Sequence, residues 1–190
     1  MPEGPEIETH ELVERAHEAL ADSLLRNIAL TTALLAAMGA VAALYAGATV
    51  NEALVLKTES AVLQAEASDQ WAYYQAKGIK ASVQESMRAT WLTTGKTVPP
   101  NVEQTIQRYN TEQKEIEHAA REKEKERDER SKTADGLLER HHKFANSVAI
   151  IQVSIALAAV AALTRMRWMW AASVGIGLIG AFLFIATLAQ

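Results

Sequence analysis

The residues with the clearest chemical potential in this chain are glutamate and histidine side chains three positions apart. The Glu-x-x-His pattern occurs at Glu14/His17, Glu115/His118 and Glu139/His142. This spacing puts both side chains on one helix face, as in the bundles that hold carboxylate-bridged metal pairs. The second and third pairs would lie about 36 Å apart along one helix, and the first belongs to a distant segment. No two pairs converge in one protomer, so we interpret all three as solvated helix faces.

Two histidine groups and one glycine motif are further candidate sites. His10, Glu14 and His17 share a helix face and could hold zinc, and His141-His142 could titrate near neutrality. Gly95-Lys96-Thr97 resembles the end of a phosphate-binding loop, but Thr90 stands where that loop requires glycine. Solvated or interfacial side chains explain each group more simply. The sequence therefore predicts no catalytic, cofactor-binding or metal-binding residue, and a protein that is not an enzyme.

Composition excludes other chemistry. The chain has 190 residues, no cysteine and a net charge of −4. The absence of cysteine excludes disulfides, thiolate nucleophiles and Cys-ligated metals. The acidic balance argues against nucleic acid as a partner, since phosphate binding needs a basic patch.

Charge distribution predicts the elements that position these residues. None of the 19 basic and 23 acidic side chains lies between Arg26 and Glu52, between Lys143 and Arg165, or after Arg167. A helix that is apolar on every side has no face for water, and about 20 residues cross the hydrocarbon layer. We predict an all-α membrane protein, multi-pass in the lipid bilayer. Its transmembrane helices span 28–50, 144–163 and 168–190, with a short basic link at 164–167 and an acidic amphipathic helix at 1–27.

The polar segment 51–143 is predicted to form an antiparallel, coiled-coil-like helical hairpin with its turn at 95–101. Gly95 can adopt the positive φ of a helix end, the following prolines prevent continuation, and Asn101 with Gln104 resembles a capping box. The first arm carries a broad apolar stripe, whereas the second arm is highly charged. We predict that Trp71 faces Glu124 and Tyr74 faces Arg121, and that the remaining stripe meets another copy of the chain.

Residues inside the spans also indicate a homo-oligomer. Small residues four apart allow helices to approach closely, and amides at membrane depth suggest an internal hydrogen-bonded face. The spans carry no ionisable side chain, which disfavours ion-coupled transport and intramembrane catalysis. The predicted helix-packing residues are Gly39, Ala43, Gly47, Asn146, Gln152, Ser173, Gly177 and Ala181.

The motif Ala67-Ser-Asp-Gln-Trp-Ala-Tyr-Tyr-Gln-Ala-Lys77, together with the layout of one span, a polar helical segment and two closing spans, resembles a bacterial family, the domain of unknown function 4337. The likeness extends from about Leu20 to Leu188. It implies an inner-membrane protein and brings no known activity. Independently, aromatic side chains on an extramembrane helix often mark interfaces. The interaction candidates are Asp69, Gln70, Trp71, Tyr74, Gln75 and Lys77.

The sequence favours a membrane-anchored scaffold whose hairpins self-associate or dock a protein partner. An oligomeric pore or small-solute conduit is the alternative, and a metal-dependent enzyme assembled across subunits is the third. Arg165 and Arg167 in the short link favour a cytoplasmic link and a periplasmic hairpin, although Lys57 and Lys143 argue for the opposite orientation.

Overall fold

The computed structural model describes residues 6–189, with side chains described for 11–15 and 23–189. Over this range the chain forms three helices and no strand: α1 (Glu6–Thr93), α2 (Pro100–Thr164) and α3 (Arg167–Leu188). The prediction of an all-α chain is confirmed. The side chains of His10 and His17, part of the candidate zinc site, and residues 1–5 of the predicted N-terminal helix lie outside the described residues.

The helices form two units. The apolar unit comprises the chain up to Asn51 and from Leu137 onwards, and the charged unit comprises Glu52–Gly136. α1 and α2 each contribute a segment to both units, whereas α3 belongs to the apolar unit alone. All three helices are long and apolar enough to cross a membrane, judged by length and composition.

Two apolar clusters hold the apolar unit together. In one, Leu24 and Ile28 of α1 pack with Ala158 and Ala161 of α2. In the other, small residues of α1 pack against two aromatic rings, Phe144 of α2 and Phe184 of α3, whose centroids are 5.8 Å apart. The two rings also flank Tyr45 of α1 at 5.7 and 6.0 Å.

The link between α2 and α3 is shorter than predicted. α2 continues to Thr164, whose hydroxyl donates to the Val160 carbonyl at 2.8 Å, and α3 already begins at Arg167. The reversal falls on Arg165 and Met166, and Arg165 has a φ of 54°. Residues 164 and 167, predicted to lie in the link, are therefore helical.

The break between α1 and α2 is close to the predicted turn. Gly95 has a φ of 68°, as the sequence predicted. α2 begins at Pro100, and the Val102 N–H donates to the Pro99 carbonyl at 3.0 Å. Asn101 therefore lies within the first turn and not before it. Proline is favoured at the first helical position because its φ is preset and its missing N–H has no partner there in any case.

In the charged unit, α1 and α2 run antiparallel, because residues later in α1 contact residues earlier in α2. The cross-helix ion pairs follow this order, for example Lys57–Asp135 at 2.8 Å, Lys77–Glu112 at 2.5 Å and Arg88–Glu103 at 2.8 Å.

The buried positions of the charged unit are mostly small and recur at multiples of seven residues. Ala53, Ser60, Ala67 and Ala81 are buried on α1, and Ala120 and Ala134 are fully buried on α2. A seven-residue repeat keeps one helix face in register with a partner helix, and small side chains let the backbones approach closely. The Ser60 hydroxyl, for example, lies 3.3 Å from the Arg127 carbonyl across the pair.

Candidate functional site

The aromatic interaction candidates lie on α1 against the charged face of α2. Trp71 is half-buried, and its indole N–H donates to the Glu124 carboxylate at 2.9 Å, so the predicted pairing of these residues is observed. The Arg121 guanidinium lies 5.7 Å from the centre of the Trp71 ring. Arg121 was predicted to face Tyr74, and the ring that it contacts in the structure is that of the neighbouring Trp71. The Tyr74 carbonyl instead accepts from the Gln113 amide at 3.2 Å.

Lys77 is the most strongly engaged of the candidates. Its ammonium donates to the Glu112 carboxylate at 2.5 Å and lies 5.0 and 5.4 Å from the ring centres of Tyr73 and Tyr109. The hydrogen bond to Glu112 is the main cause that raises the pKa of Lys77 above its usual 10.5. The same bond lowers the pKa of Glu112 below its usual 4.5. Both charged forms are thus favoured in the folded unit.

These shifts give the charged unit a defined response to acid. The contribution of Glu112 to stability is complete above pH 4.5 and is lost as pH falls from there through its lowered folded pKa. The contribution of Lys77 is lost only when pH rises above 10.5.

We expect the urea concentration at the unfolding midpoint of the charged unit to fall as pH is lowered from 5 to 3. Glu112→Gln should remove part of that fall. Glu115→Gln, at an exposed position one helical turn away, is the control. An equal effect of both variants would show that the contact between Glu112 and Lys77 does not cause the loss of stability in acid.

The apolar stripe predicted on α1 divides into two faces. Leu56, Leu63, Trp71 and Tyr74 are half-buried on the side that faces α2. Val55, Val62, Ile79 and Val83 are 53–66% exposed. Of the remaining interaction candidates, Gln70 is half-buried, whereas Asp69 and Gln75 are exposed. The six candidates thus do not converge on one surface.

The helix-packing candidates are also divided. Gly39, Ser173 and Gly177 are buried, and Gly47 and Ala181 are half-buried. Ala43, Asn146 and Gln152 are exposed on the outside of the apolar unit. The prediction that Asn146 and Gln152 belong to an internal hydrogen-bonded face stays a prediction, because any such face would have to form between copies of the chain.

Serines and glycines lie at close contacts between helices in the interior of the apolar unit. The Ser154 and Ser173 hydroxyls donate to each other's backbone carbonyls at 2.7 and 2.8 Å, which joins α2 to α3. A Cβ added to Gly180 would lie 2.7 Å from Ile151 Cγ1 and 3.2 Å from the Ile151 backbone nitrogen. Close helix contact at this point therefore requires glycine.

Two glycine substitutions on α3 are expected to have opposite effects. Gly180→Ala should destabilise the apolar unit by about 1–2 kcal/mol, because the clash with Ile151 outweighs the gain in helix propensity. Gly175→Ala should be neutral or stabilise by up to about 1 kcal/mol, since nothing lies within 4 Å of its Cβ. Thermal unfolding in detergent, followed by circular dichroism, measures both. A loss of the same size at Gly175 would show that glycine is needed for another reason.

No metal-binding geometry is found among the described residues: no three His, Asp or Glu side chains lie together there. The second Glu-x-x-His pair is exposed, and His118 lies 4.0 Å from Glu122. In the third pair, Glu139 contacts Lys143 at 3.1 Å. His141 uses Nδ1 in a 2.8 Å contact with the Ala46 carbonyl.

Comparison with known proteins gives one result. The family model described as "Domain of unknown function (DUF4337)" matches residues 24–190, which include all of α2 and α3 and most of α1. No curated protein and no solved structure matches the chain.

Proposed function

The chain belongs to the DUF4337 family, and on this premise we propose that it is a non-enzymatic, homo-oligomeric membrane scaffold. Its three apolar helices span the bilayer, and the charged unit stands in water as a helical hairpin. The observation that carries the proposal is the exposed apolar face of α1 in the charged unit, with Val55, Val62, Ile79 and Val83 all more than half exposed. Such a face on a solvated helix indicates a binding surface.

The inverted polarity of the apolar unit supports insertion in lipid. Its buried positions include Ser154, Ser173, Ala158 and Ala161, whereas many of its large apolar side chains point outwards. Leu34, Leu44 and Phe182 are 69–74% exposed. Lipid removes the hydrophobic drive to bury such side chains, so small residues and hydroxyls are typical of contacts between membrane helices.

Two exposed amides support self-association within the bilayer. Asn146 and Gln152 lie on the outer surface of α2. An amide that faces hydrocarbon without a hydrogen-bond partner is costly, and a second copy of the chain can supply that partner. The same amides would line a polar path if the protomers form a ring, so an oligomeric pore or small-solute conduit is the second candidate function.

The link between α2 and α3 favours one orientation in a bacterial inner membrane. Arg165 and Arg167 lie at the link, and Trp168, which is 67% exposed, follows immediately. Basic residues favour the cytoplasmic side, and tryptophan is enriched at the membrane interface. We therefore propose a cytoplasmic link and a periplasmic charged unit.

Two measurements test the scaffold and its orientation. Mass measurement of the protein in lipid nanodiscs should give a stable multimer, and a monomer would overturn the proposal. Lys96→Cys supplies the only thiol of a chain without cysteine, and an impermeant maleimide should label it from the periplasm. If the maleimide labels this thiol only after the membrane has been made permeable, residue 96 lies on the cytoplasmic side and the proposed orientation is wrong.

A flux measurement separates the two candidate functions. Purified oligomer in liposomes should produce no sustained conductance at physiological voltage. Sustained conductance that Gln152→Leu reduces would favour the conduit, whereas silent and stable oligomers favour the scaffold.

A further inference from the structure

The exposed face of α1 in the charged unit is a regular helical seam. We call it the outer seam: the positions reached from Val55 by alternating steps of three and four residues as far as Val83. Every one of these positions is exposed. Its larger members are Val55, Val62, Ile79 and Val83. Between them lie three alanines, Thr58 and a single charged residue, Asp69.

This spacing specifies the shape of the partner. Alternating steps of three and four over about four heptads form the contact line of two helices wound around each other. Alanines at such positions allow close approach, as they do on the opposite face of α1 towards α2. The partner is therefore an α-helix with a matching apolar seam. α2 lacks one in this region, where residues 121–130 are charged without interruption.

We propose that the outer seam pairs, in parallel and in register, with the outer seam of a second copy of this chain. This inference rests on the proposed homo-oligomer and names its extramembrane contact. Two copies anchored in one bilayer by the same helix run in the same direction, so identical residues meet across the pair.

The charges beside the outer seam fit a parallel pair. One flank carries Leu54, Ala61 and Ser68, which are uncharged. The other flank carries Glu59, Glu66 and Lys80. The two carboxylates are already paired with α2, with Arg130 at 3.1 Å and Lys123 at 2.9 Å. In a parallel pair, the flank that carries the glutamates faces the uncharged flank of the second copy. Neither glutamate then meets a like charge.

Asp69 is the exception in the outer seam. In a parallel pair in register, the two Asp69 carboxylates face each other, and like charges at close range oppose association. One polar residue in an apolar helix seam commonly fixes register at a cost in affinity. Removal of this charge should therefore tighten the pair, an effect opposite to that expected if Asp69 bound a partner through a salt bridge.

Cysteine crosslinking of the full-length protein in nanodiscs tests the contact. Because the chain has no cysteine, Val62→Cys and Ile79→Cys each introduce a single thiol on the outer seam. Lys114→Cys, exposed on α2, is the control. Oxidation should crosslink the two outer-seam variants at least about tenfold faster than the control. Adding Asp69→Asn should tighten association by about tenfold, corresponding to one pKa unit of interaction.

The outcomes separate this inference from the proposed function. A stable multimer that crosslinks no faster at the outer seam than at residue 114 would overturn the pairing and leave the scaffold intact. A monomer by mass would overturn both. Weaker association after Asp69→Asn would overturn the parallel register even if the outer seam still crosslinks.

Discussion

Replacement of Ile151 by alanine is expected to lower the free energy of unfolding of the apolar unit by about 2–5 kcal/mol. Ile151 is fully buried on α2. Its Cγ2 lies 3.1 Å from the point where a Cβ added to Gly39 of α1 would stand. Its Cγ1 lies 2.7 Å from the corresponding point at Gly180 of α3. One side chain thus fills the space left by glycines on two helices. Alanine would leave a cavity bordered by backbone, which cannot collapse to fill it.

Val153→Ala on the same helix is the matched control. Val153 is 54% exposed, so its truncation should change stability by no more than about 0.5 kcal/mol. Titration with SDS, followed by circular dichroism, compares the two variants in the same micelle. Similar losses at both positions would show that apolar volume on α2, and not the contact with the two glycines, determines stability.

The helical architecture could be predicted because its signals are local. Charge-free blocks are read directly from the chain, and Gly95 followed by prolines allows only one place for the break between α1 and α2. The exact ends of the helices are harder to predict from the sequence. Arg165 adopts a left-handed φ of 54° without glycine, and no residue preference predicts this conformation at an arginine. The link was therefore expected to be longer than it is.

The division of the α1 stripe into two faces could not be predicted from apolar residues alone. Val55 and Leu56 are adjacent in sequence, yet one is exposed and the other half-buried against α2. The distinguishing signal was present in the alanines. Ala53, Ala67 and Ala81 recur at multiples of seven residues and mark the side of α1 that faces α2. Because alanine is so common in this chain, however, their spacing alone does not distinguish that side in the sequence.

The placement of the polar residues in the predicted spans could not be read from the sequence for a different reason. An amide at membrane depth requires a hydrogen-bond partner, but the requirement does not specify whether that partner lies in the same chain. Ser154 and Ser173 make one buried polar contact of the apolar unit, in which their hydroxyls donate to backbone carbonyls. Serine can satisfy its hydroxyl locally and pack closely, so it occupies the interior, whereas the bulkier Asn146 and Gln152 lie outside.

Replacement of Ala67 by leucine should destabilise the charged unit by about 3 kcal/mol, the upper end of the usual cost of overpacking. Ala67 is fully buried. It lies between two cross-helix contacts, Glu66–Lys123 at 2.9 Å and Trp71–Glu124 at 2.9 Å. A larger side chain must separate α1 from α2 and break both contacts. Helix propensity contributes little, since alanine and leucine are both strong helix formers.

Ala89→Leu makes the same chemical change at an exposed position of α1 that lies beyond the outer seam, and it should alter stability by no more than about 0.5 kcal/mol. Urea titration of the full-length protein in nanodiscs, followed by helical circular dichroism, should show a lower midpoint for Ala67→Leu alone. If both variants unfold like the unmodified protein, the small buried residues do not set the distance between the helices. If only Ala67→Leu is destabilised, the seven-residue alanine repeat holds α1 against α2, and the outer seam on the opposite side of α1 is left available to a second copy.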